Sequence, residues 1–412
     1  AAMLLFYRLV LLPIVATGLV IALSVQAETS PPVITVETLR AGLQSGEVND
    51  NPLFQTPAQR RVTFANIEQF APTRTLIPGS SVLTFQSTPA SLESIDVAVD
   101  DDFGDRRFTV AEFLQRKDLM GLAVVQDGNI LLEHYAPDHG ADTPWISFSV
   151  TKSISSMLIG AAIHDGYIES IDDPVVRYLP RLRGSAYESV TLRHLLQMAS
   201  GVAWSEDYAN PKSDVAIAGA ANGVALTAHL AQKERVAEPG ARFNYNTGEA
   251  NLVGEVLRAA LANAATPYAN EKLWQGVGMA STAYWLLDRP QGRETGGCCI
   301  AASVLDYVRM GVLALNDGVL PSGERVLPEG WMTLSTTPSP ALPNYGFMWW
   351  LTEDERFYAS GIFGQKIFID PLTHTVIGVH SNAEKATGTP YNADLQAVLI
   401  GITDAIRAEQ GL

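Results

Sequence analysis

A serine and a lysine three residues apart stand at the start of a predicted helix. Ser149 and Lys152 open an apolar stretch that runs to Ile163 and ends before Gly166, a pattern typical of a buried helix. Residues three apart lie on one helix face, and an amine that burial keeps neutral can accept the proton of a serine hydroxyl. We therefore hypothesise a covalent serine hydrolase with Ser149 as nucleophile and Lys152 as its base. The alternative is an ordinary helix turn that faces solvent, because Ser-x-x-Lys is a short pattern that also occurs by chance.

A tyrosine and a glycine-rich strand entry offer the other groups that acyl transfer needs. Tyr245 precedes a predicted helix over 250–261, where a phenol could carry a proton between nucleophile and leaving group; a tyrosine that packs a loop is the alternative. The stretch 358–365 leads into a strand whose free N–H groups could bind an oxyanion, although an ordinary glycine-rich strand entry looks the same. We predict that Ile362 and Ser149 supply the two oxyanion-hole N–H groups.

Composition limits the classes of partner and cofactor. The chain has 412 residues and a net charge of -16, and no block of Lys and Arg interrupts the acidic sequence, so nucleic acid is a poor partner. No His-x-x-x-His, Cys-x-x-Cys or His-Glu-x-x-His pattern is present, so we expect neither a metal site nor a cofactor. Cys298 and Cys299 are adjacent, and because neighbours rarely bridge without strain we predict buried thiols.

The first residues differ from the rest of the chain. Arg8 is followed by an apolar run over 9–25 and a small-residue exit at Ala27, which predicts a secretory signal peptide over 1–27. An uncleaved anchor is the alternative, because the run is nearly long enough to span a bilayer. We expect an exported protein, most simply a periplasmic one, that touches membrane only through 9–25 if this segment is retained.

The rest of the sequence predicts two parts, an N-terminal arm and a main body on which the arm packs. Residues 28–107 are rich in Pro, Thr, Ser and Asp, which predicts an extended N-terminal arm packed on a body over 108–412. Within the body, a hairpin with an Asp-Gly turn over 121–135 and strands after 345 enclose a mostly helical block over about 161–295. We predict an α+β fold, in which helices flank an antiparallel sheet and the active site lies in the cleft beside the inserted helical block.

Taken in order, these motifs resemble those of the serine β-lactamase and penicillin-binding-protein superfamily, in its class C and esterase branch. The resemblance covers roughly Phe108 to the C-terminus. It is carried by Ser149-Val-Thr-Lys152, Tyr245-Asn-Thr247, Gly361 with Gly364, and the stretches 173–180 and 191–202. It implies a β-lactamase-like fold and an acyl-enzyme on Ser149, with Lys152 as base and Tyr245 as proton shuttle. It also places Thr247 and Gly361 in the substrate-binding site.

Within this branch the chain is similar to the 6-aminohexanoate-dimer hydrolases, nylon-oligomer enzymes with carboxylesterase activity. The stretch 204–211 resembles their substrate-contacting loop, which implies that Tyr208 lies near the leaving group, and 363–373 resembles their third-motif strand.

The third motif departs from the β-lactamase pattern. β-Lactamases and DD-peptidases carry Lys-Thr-Gly or His-Thr-Gly where this chain has Ala-Ser-Gly at 359–361, and Lys366 follows on a strand of unknown facing. A missing cation removes a charge-assisted contact of about 1.5–3 kcal/mol. We therefore expect weak or no β-lactamase activity, and hydrolysis of small neutral esters or amides by a monomer or homodimer.

Three other functions stay open. A Ser-His-Asp hydrolase is disfavoured because no Gly-x-Ser-x-Gly elbow accompanies the seven histidines. A DD-peptidase or penicillin-binding protein of the same superfamily would form a stable adduct with labelled penicillin, and a β-lactamase would hydrolyse nitrocefin efficiently. An exported binding protein that keeps the fold without the chemistry would not react with a covalent serine probe.

Overall fold

The apolar stretch after Ser149 forms helix α5, which spans Val150–His164. Every residue of α5 from Val150 to Ala162 is buried, as expected of a helix that is apolar on all sides. Gly166 follows with a φ of 79°, the left-handed conformation in which helices commonly end. The helix therefore gives Ser149 and Lys152 a rigid support inside the protein.

The structure is a computed structural model that describes residues 33–412. Residues 34–412 form one compact unit. The predicted signal peptide over 1–27, with its apolar run over 9–25, lies outside the described residues. Within residues 33–412 no helix combines the length and the apolar character needed to cross a bilayer.

Runs of helices and runs of strands follow one another along the chain. The helices are α1 Val36–Ser45, α2 Pro57–Ala65, α3 Ile67–Phe70, α4 Val110–Leu114, α5 Val150–His164, α6 Val175–Tyr178, α7 Leu192–Leu196, α8 Asp214–Ala218, α9 Gly223–Ala231, α10 Thr247–Leu261, α11 Ala265–Ala269, α12 Val304–Leu315, α13 Trp331–Ser335 and α14 Pro390–Gln410. The strands are β1 Thr73–Leu76, β2 Gln86–Ser87, β3 Asp96–Val99, β4 Arg106–Thr109, β5 Leu119–Gln126, β6 Asn129–Tyr135, β7 Trp145–Ile146, β8 Ala283–Leu286, β9 Ile300–Ala302, β10 Trp350–Leu351, β11 Phe357–Gly361, β12 Gln365–Asp370 and β13 Thr375–Ser381.

A seven-stranded sheet draws on both ends of the body, in the order β10-β11-β12-β13-β5-β6-β2. Its pairs are antiparallel except for that of β2 with β6. Side chains alternate along β5: Ala123 and Val125 join the core around α5, whereas Leu122 and Val124 join the core around α14. Helices α5 to α11 lie between β7 and β8 in the chain. The predicted α+β fold, an antiparallel sheet flanked by helices, is confirmed.

The segment predicted as an extended arm contains helices α1 to α3 as well as short strands. Thr35 and Thr56 cap α1 and α2 through capping boxes, so threonines that looked like loop residues are helix-start signals. Strand β1 pairs with β8 of the body, and Arg74 forms an ion pair with Glu294. The segment therefore packs on the body. The predicted end of the arm at 107 and the predicted bounds of the helical block at about 161 and 295 stay predictions.

The two adjacent cysteines form a disulfide between Cys298 and Cys299. The prediction of free thiols is therefore wrong. It rested on the general rarity of disulfides between neighbouring cysteines.

Candidate active site

The Ser149 hydroxyl lies beside a buried amine. Lys152 Nζ is 2.8 Å from Ser149 Oγ, and its side chain is 1% exposed. The Ser149 side chain makes no capping bond at the start of α5, so its hydroxyl is available to Lys152. Burial lowers the pKa of Lys152 to about 8, although the charge of Glu206 acts in the opposite direction. A neutral amine at this distance can accept the proton of the hydroxyl.

Two further acceptors hold the Lys152 amine in place. Lys152 Nζ donates to Thr247 Oγ1 at 3.1 Å and to the carbonyl oxygen of Gly297 at 2.8 Å. Thr247 is the first residue of α10, so the second predicted motif meets the first at this amine. The lysine thus has one fixed position rather than the many rotamers of an exposed side chain.

The ring of Tyr245 lies near the Lys152 amine. Lys152 Nζ is 5.1 Å from the centre of the Tyr245 ring, which stacks on Trp350 at 6.0 Å. Burial and the charge of Glu206 raise the pKa of Tyr245, while a hydrogen bond with Ser149 lowers it. The net direction is upward, so the nearby amine does not turn the phenol into a phenolate. Tyr245 is therefore a neutral donor that can pass on a proton, not a base of its own.

The end of strand β11 approaches the turn that carries Ser149. A Cβ on Gly361 would lie 2.2 Å from the carbonyl oxygen of Ser147, so only glycine fits there. Among the described residues, strand β10 pairs with β11 at residues 357 and 358 and not at 359–361, the edge beside which the oxyanion donors are predicted. Ile362 follows and lines the same cavities as Ser149.

Three phenylalanines pack together behind the two candidate oxyanion donors. Phe148 precedes Ser149 and Phe363 follows Ile362, and both have a positive φ, 46° and 63°. The ring centres of Phe148 and Phe363 are 5.4 Å apart. The ring centre of Phe64, on α2, is 5.0 Å from that of Phe148 and 5.6 Å from that of Phe363. The N-terminal segment thereby supports both turns.

Replacement of Phe64 is expected to destabilise the protein. Phe64 is 0% exposed, and Phe64→Ala should lower the free energy of unfolding by about 3–5 kcal/mol through lost burial and a cavity. The control is Phe54→Ala, at a side chain that is 38% exposed, which should change it by less than about 1 kcal/mol. Denaturant unfolding followed by tryptophan fluorescence measures both. Equal losses in the two variants would contradict this role for Phe64.

Glu206 is a site residue to which sequence reasoning assigned no role. Its carboxylate accepts hydrogen bonds from the Thr247 amide at 3.0 Å and from the Tyr208 hydroxyl at 2.8 Å, as well as from Trp204 Nε1 and Thr247 Oγ1. Thr247 therefore links Lys152 to a carboxylate. The only sequence signal was that Glu206 falls in the stretch that resembles a substrate-contacting loop.

Lys366 contradicts the prediction that no cation stands at the third motif. Lys366 faces Ser360 across strands β11 and β12, and its Nζ donates to Ser360 Oγ at 2.9 Å. The amine also lies 4.3 Å from the centre of the Tyr358 ring. The prediction considered only the motif itself, whereas the cross-strand partner supplies the amine. Burial lowers the pKa of Lys366 to about 7, so its charge is only partial near neutral pH.

Two cavities meet at the serine. The first, of about 350 Å³, is lined by Tyr245 and Gly361, and the second, of about 500 Å³, by Lys152 and Thr247. Both are lined by Ser149, Tyr208 and Ile362. The structure thus brings all the predicted site residues together around one hydroxyl, and their individual roles stay predictions.

Comparison with known proteins identifies a family and a relative of this chain. The beta-lactamase family model matches residues 109–400. The 6-aminohexanoate-dimer hydrolase of Paenarthrobacter ureafaciens is 25% identical over 309 residues, which cover 69% of this chain and 78% of that protein.

Solved structures show the same fold. A structure described as a 6-aminohexanoate-dimer hydrolase from Bacillus anthracis aligns with a TM-score of 0.76 and 20% identity, over 89% of this chain and 98% of that one. A family VIII carboxylesterase aligns with a TM-score of 0.55 and 18% identity, over 71% of this chain and 95% of that one. The chain belongs to the beta-lactamase family and is a serine hydrolase of this superfamily.

Proposed function

We propose that this protein cleaves small ester or amide bonds through an acyl-enzyme on Ser149. The observation that carries the proposal is the distance of 2.8 Å between Ser149 Oγ and the buried amine of Lys152, at a point where two cavities open. The similarity to a 6-aminohexanoate-dimer hydrolase and to the fold of a carboxylesterase supports this class of substrate.

In the acylation step the neutral Lys152 amine takes the proton of Ser149 as Oγ attacks the carbonyl carbon. The carbonyl oxygen becomes an oxyanion, which the N–H groups of Ser149 and Ile362 stabilise. The intermediate then collapses and the bond to the leaving oxygen or nitrogen breaks. The leaving group receives the proton from Lys152 through the Tyr245 hydroxyl, so no net charge is left behind.

Deacylation repeats these steps with water as the nucleophile. Tyr245 and Lys152 take one proton of the water as its oxygen attacks the acyl carbon. When the second intermediate collapses, Ser149 Oγ leaves and recovers this proton, and the carboxylic acid is released. Tyr208 and Thr247, both joined to Glu206, keep the polar side of the site in place during both steps.

Neutral substrates should be preferred over anionic β-lactams. The partial charge of Lys366 near neutral pH gives a weaker contact to a carboxylate than a full cation would. At about pH 8.5 the amine of Lys366, whose pKa burial lowers to about 7, is largely neutral, so we expect nitrophenyl acetate and butyrate to be hydrolysed there with a kcat/KM on the order of tenfold or more above that for nitrocefin. Steady-state assays of the same preparation measure all three, and efficient nitrocefin turnover would contradict the proposal.

The pH profile should report the titration of Lys152. The neutral amine is the form that accepts a proton, so activity increases as pH rises through the pKa of Lys152, which burial lowers to about 8. Background-corrected log kcat/KM for nitrophenyl acetate should rise with a slope of about one and level off above this value. The rising part of this profile is its pH limb. Glu206→Gln removes the charge that keeps the pKa of Lys152 from falling further, so the pH limb of this variant should move to lower pH.

Two results would contradict the assignment of the pH limb to Lys152. The first is a limb that stays in place or moves to higher pH in Glu206→Gln. The second is a limb that disappears in Lys366→Met, because it would then belong to Lys366, whose pKa burial lowers to about 7.

We also propose export through the predicted signal peptide over 1–27. The positive start, the apolar run and the small-residue exit support it. Expression of the full chain in a bacterium, followed by mass measurement of the periplasmic fraction, tests it. A protein that keeps all 412 residues and stays in the cytoplasm would contradict the proposal.

A further inference from the structure

The larger of the two cavities at Ser149 is separate from the one that holds Tyr245. It encloses about 500 Å³, within the size range of ligand sites in proteins. Of the polar groups described above, Tyr245, Glu206 and Lys366 line the smaller cavity and not this one. The titratable side chains on the two sides of the serine therefore differ.

The walls of the larger cavity are mainly apolar. The N-terminal segment contributes Leu53, Ile67 and Phe70, helix α8 contributes Val215 and Ala216, and Leu287 follows β8. Two charged side chains are among the lining residues. One is Lys152 of the reaction centre, and the other is Asp50, in the exposed loop after α1.

The position of Tyr245 indicates which half of a substrate occupies each cavity. A leaving alcohol or amine needs a proton as its bond to carbon breaks. Tyr245, which passes this proton on in the proposed reaction, lines the smaller cavity. The leaving group therefore belongs there, and the acyl group, on the opposite side of the scissile bond, extends into the larger cavity.

We propose that the larger cavity binds the acyl chain of the substrate, that this chain is apolar and several carbons long, and that residues 43–71 and helix α8 set its length. The inference rests on the proposed function, since it assumes acylation at Ser149. Residues 43–71 precede the stretch 109–400 that matches the family, so this wall is an addition to the part of the fold that the family match covers.

A chain-length series tests the proposal. For nitrophenyl esters from acetate to dodecanoate, kcat/KM should rise by roughly fourfold per added methylene, the gain expected for burying one CH₂ group, until the cavity is filled. For alkyl acetates, in which the alcohol is lengthened instead, the rise should be much smaller. A dependence on alcohol length alone would overturn the assignment of the two cavities.

Variants locate the effect in the cavity. Ala216→Phe fills it from α8, so hydrolysis of the octanoate should fall more than about tenfold while that of the acetate changes little. The matched control is Ile217→Phe at the next position of the same helix, where the side chain is 64% exposed and does not line the cavity. Ile217→Phe should leave kcat/KM unchanged for every nitrophenyl ester of the chain-length series.

A second pair of variants enlarges the cavity from the N-terminal segment. Leu53→Ala should shift the optimum to longer chains, whereas Phe54→Ala, at an exposed neighbour, should not. Labelling by a short fluorophosphonate, run on every variant, shows whether Ser149 still reacts. Ala216→Phe could lose kcat/KM equally for the acetate and the octanoate while Ser149 is still labelled and Leu53→Ala keeps the wild-type chain-length optimum. That result would overturn the assignment of the larger cavity to the acyl chain, but not the proposed function. Failure of the wild type to hydrolyse any ester or to be labelled would overturn the proposed function.

Discussion

Ser149→Ala is expected to lower kcat/KM for nitrophenyl butyrate by about ten-thousand-fold or more. The variant has no hydroxyl to form the acyl-enzyme, and loss of a nucleophile has effects of this order in serine hydrolases. What remains would be attack by water in a site that still holds the oxyanion donors. Initial rates with purified protein, corrected for spontaneous hydrolysis, measure the loss.

The control for Ser149→Ala is a second serine of the same helix. Ser156 is also buried in α5, and its hydroxyl has no hydrogen-bond partner among the described residues. Ser156→Ala should therefore fold and keep its activity. If Ser149→Ala retained more than about a tenth of the wild-type rate while Ser156→Ala behaved as expected, the nucleophile would have to be another residue.

Lys152→Met and Lys152→Arg are both expected to lower kcat/KM by about a hundredfold to ten-thousand-fold, the range that a general base contributes. Methionine has similar length and no amine. Arginine keeps a positive charge but does not release its proton in proteins, so it cannot act as a base. The same assays as for Ser149→Ala measure both variants.

The arginine variant separates two roles of the lysine. If Lys152 serves only as a positive charge near the oxyanion, Lys152→Arg should retain much of the activity and only Lys152→Met should lose it. If Lys152 is the base, both variants lose activity, and the pH limb near 8 that burial of Lys152 sets disappears from the residual rate. Substantial activity in Lys152→Arg would contradict the proposed mechanism.

The sequence predicts the parts of the site that depend on local spacing. Ser149 and Lys152 lie on one face because they are three apart on a helix, and the distance of 2.8 Å between their polar atoms follows from this. The Asp-Gly turn likewise predicts the hairpin of β5 and β6, which the structure contains.

Features that depend on contacts distant in sequence could not be predicted in this way. Lys366 reaches the site only through its register with Ser360, which fixes the face of β12 that carries it. Glu206 enters the site through the fold of its loop onto the start of α10. The capping threonines of α1 and α2 carried a local signal that composition concealed, since proline and threonine also mark loops.

The most direct test of the account is intact-mass spectrometry after reaction with a fluorophosphonate probe, for the wild type and for Ser149→Ala. The account predicts one adduct per wild-type chain, with loss of fluoride, and none on Ser149→Ala. An unlabelled but folded wild type, or an adduct that persists in Ser149→Ala, would contradict the assignment of Ser149 as the nucleophile.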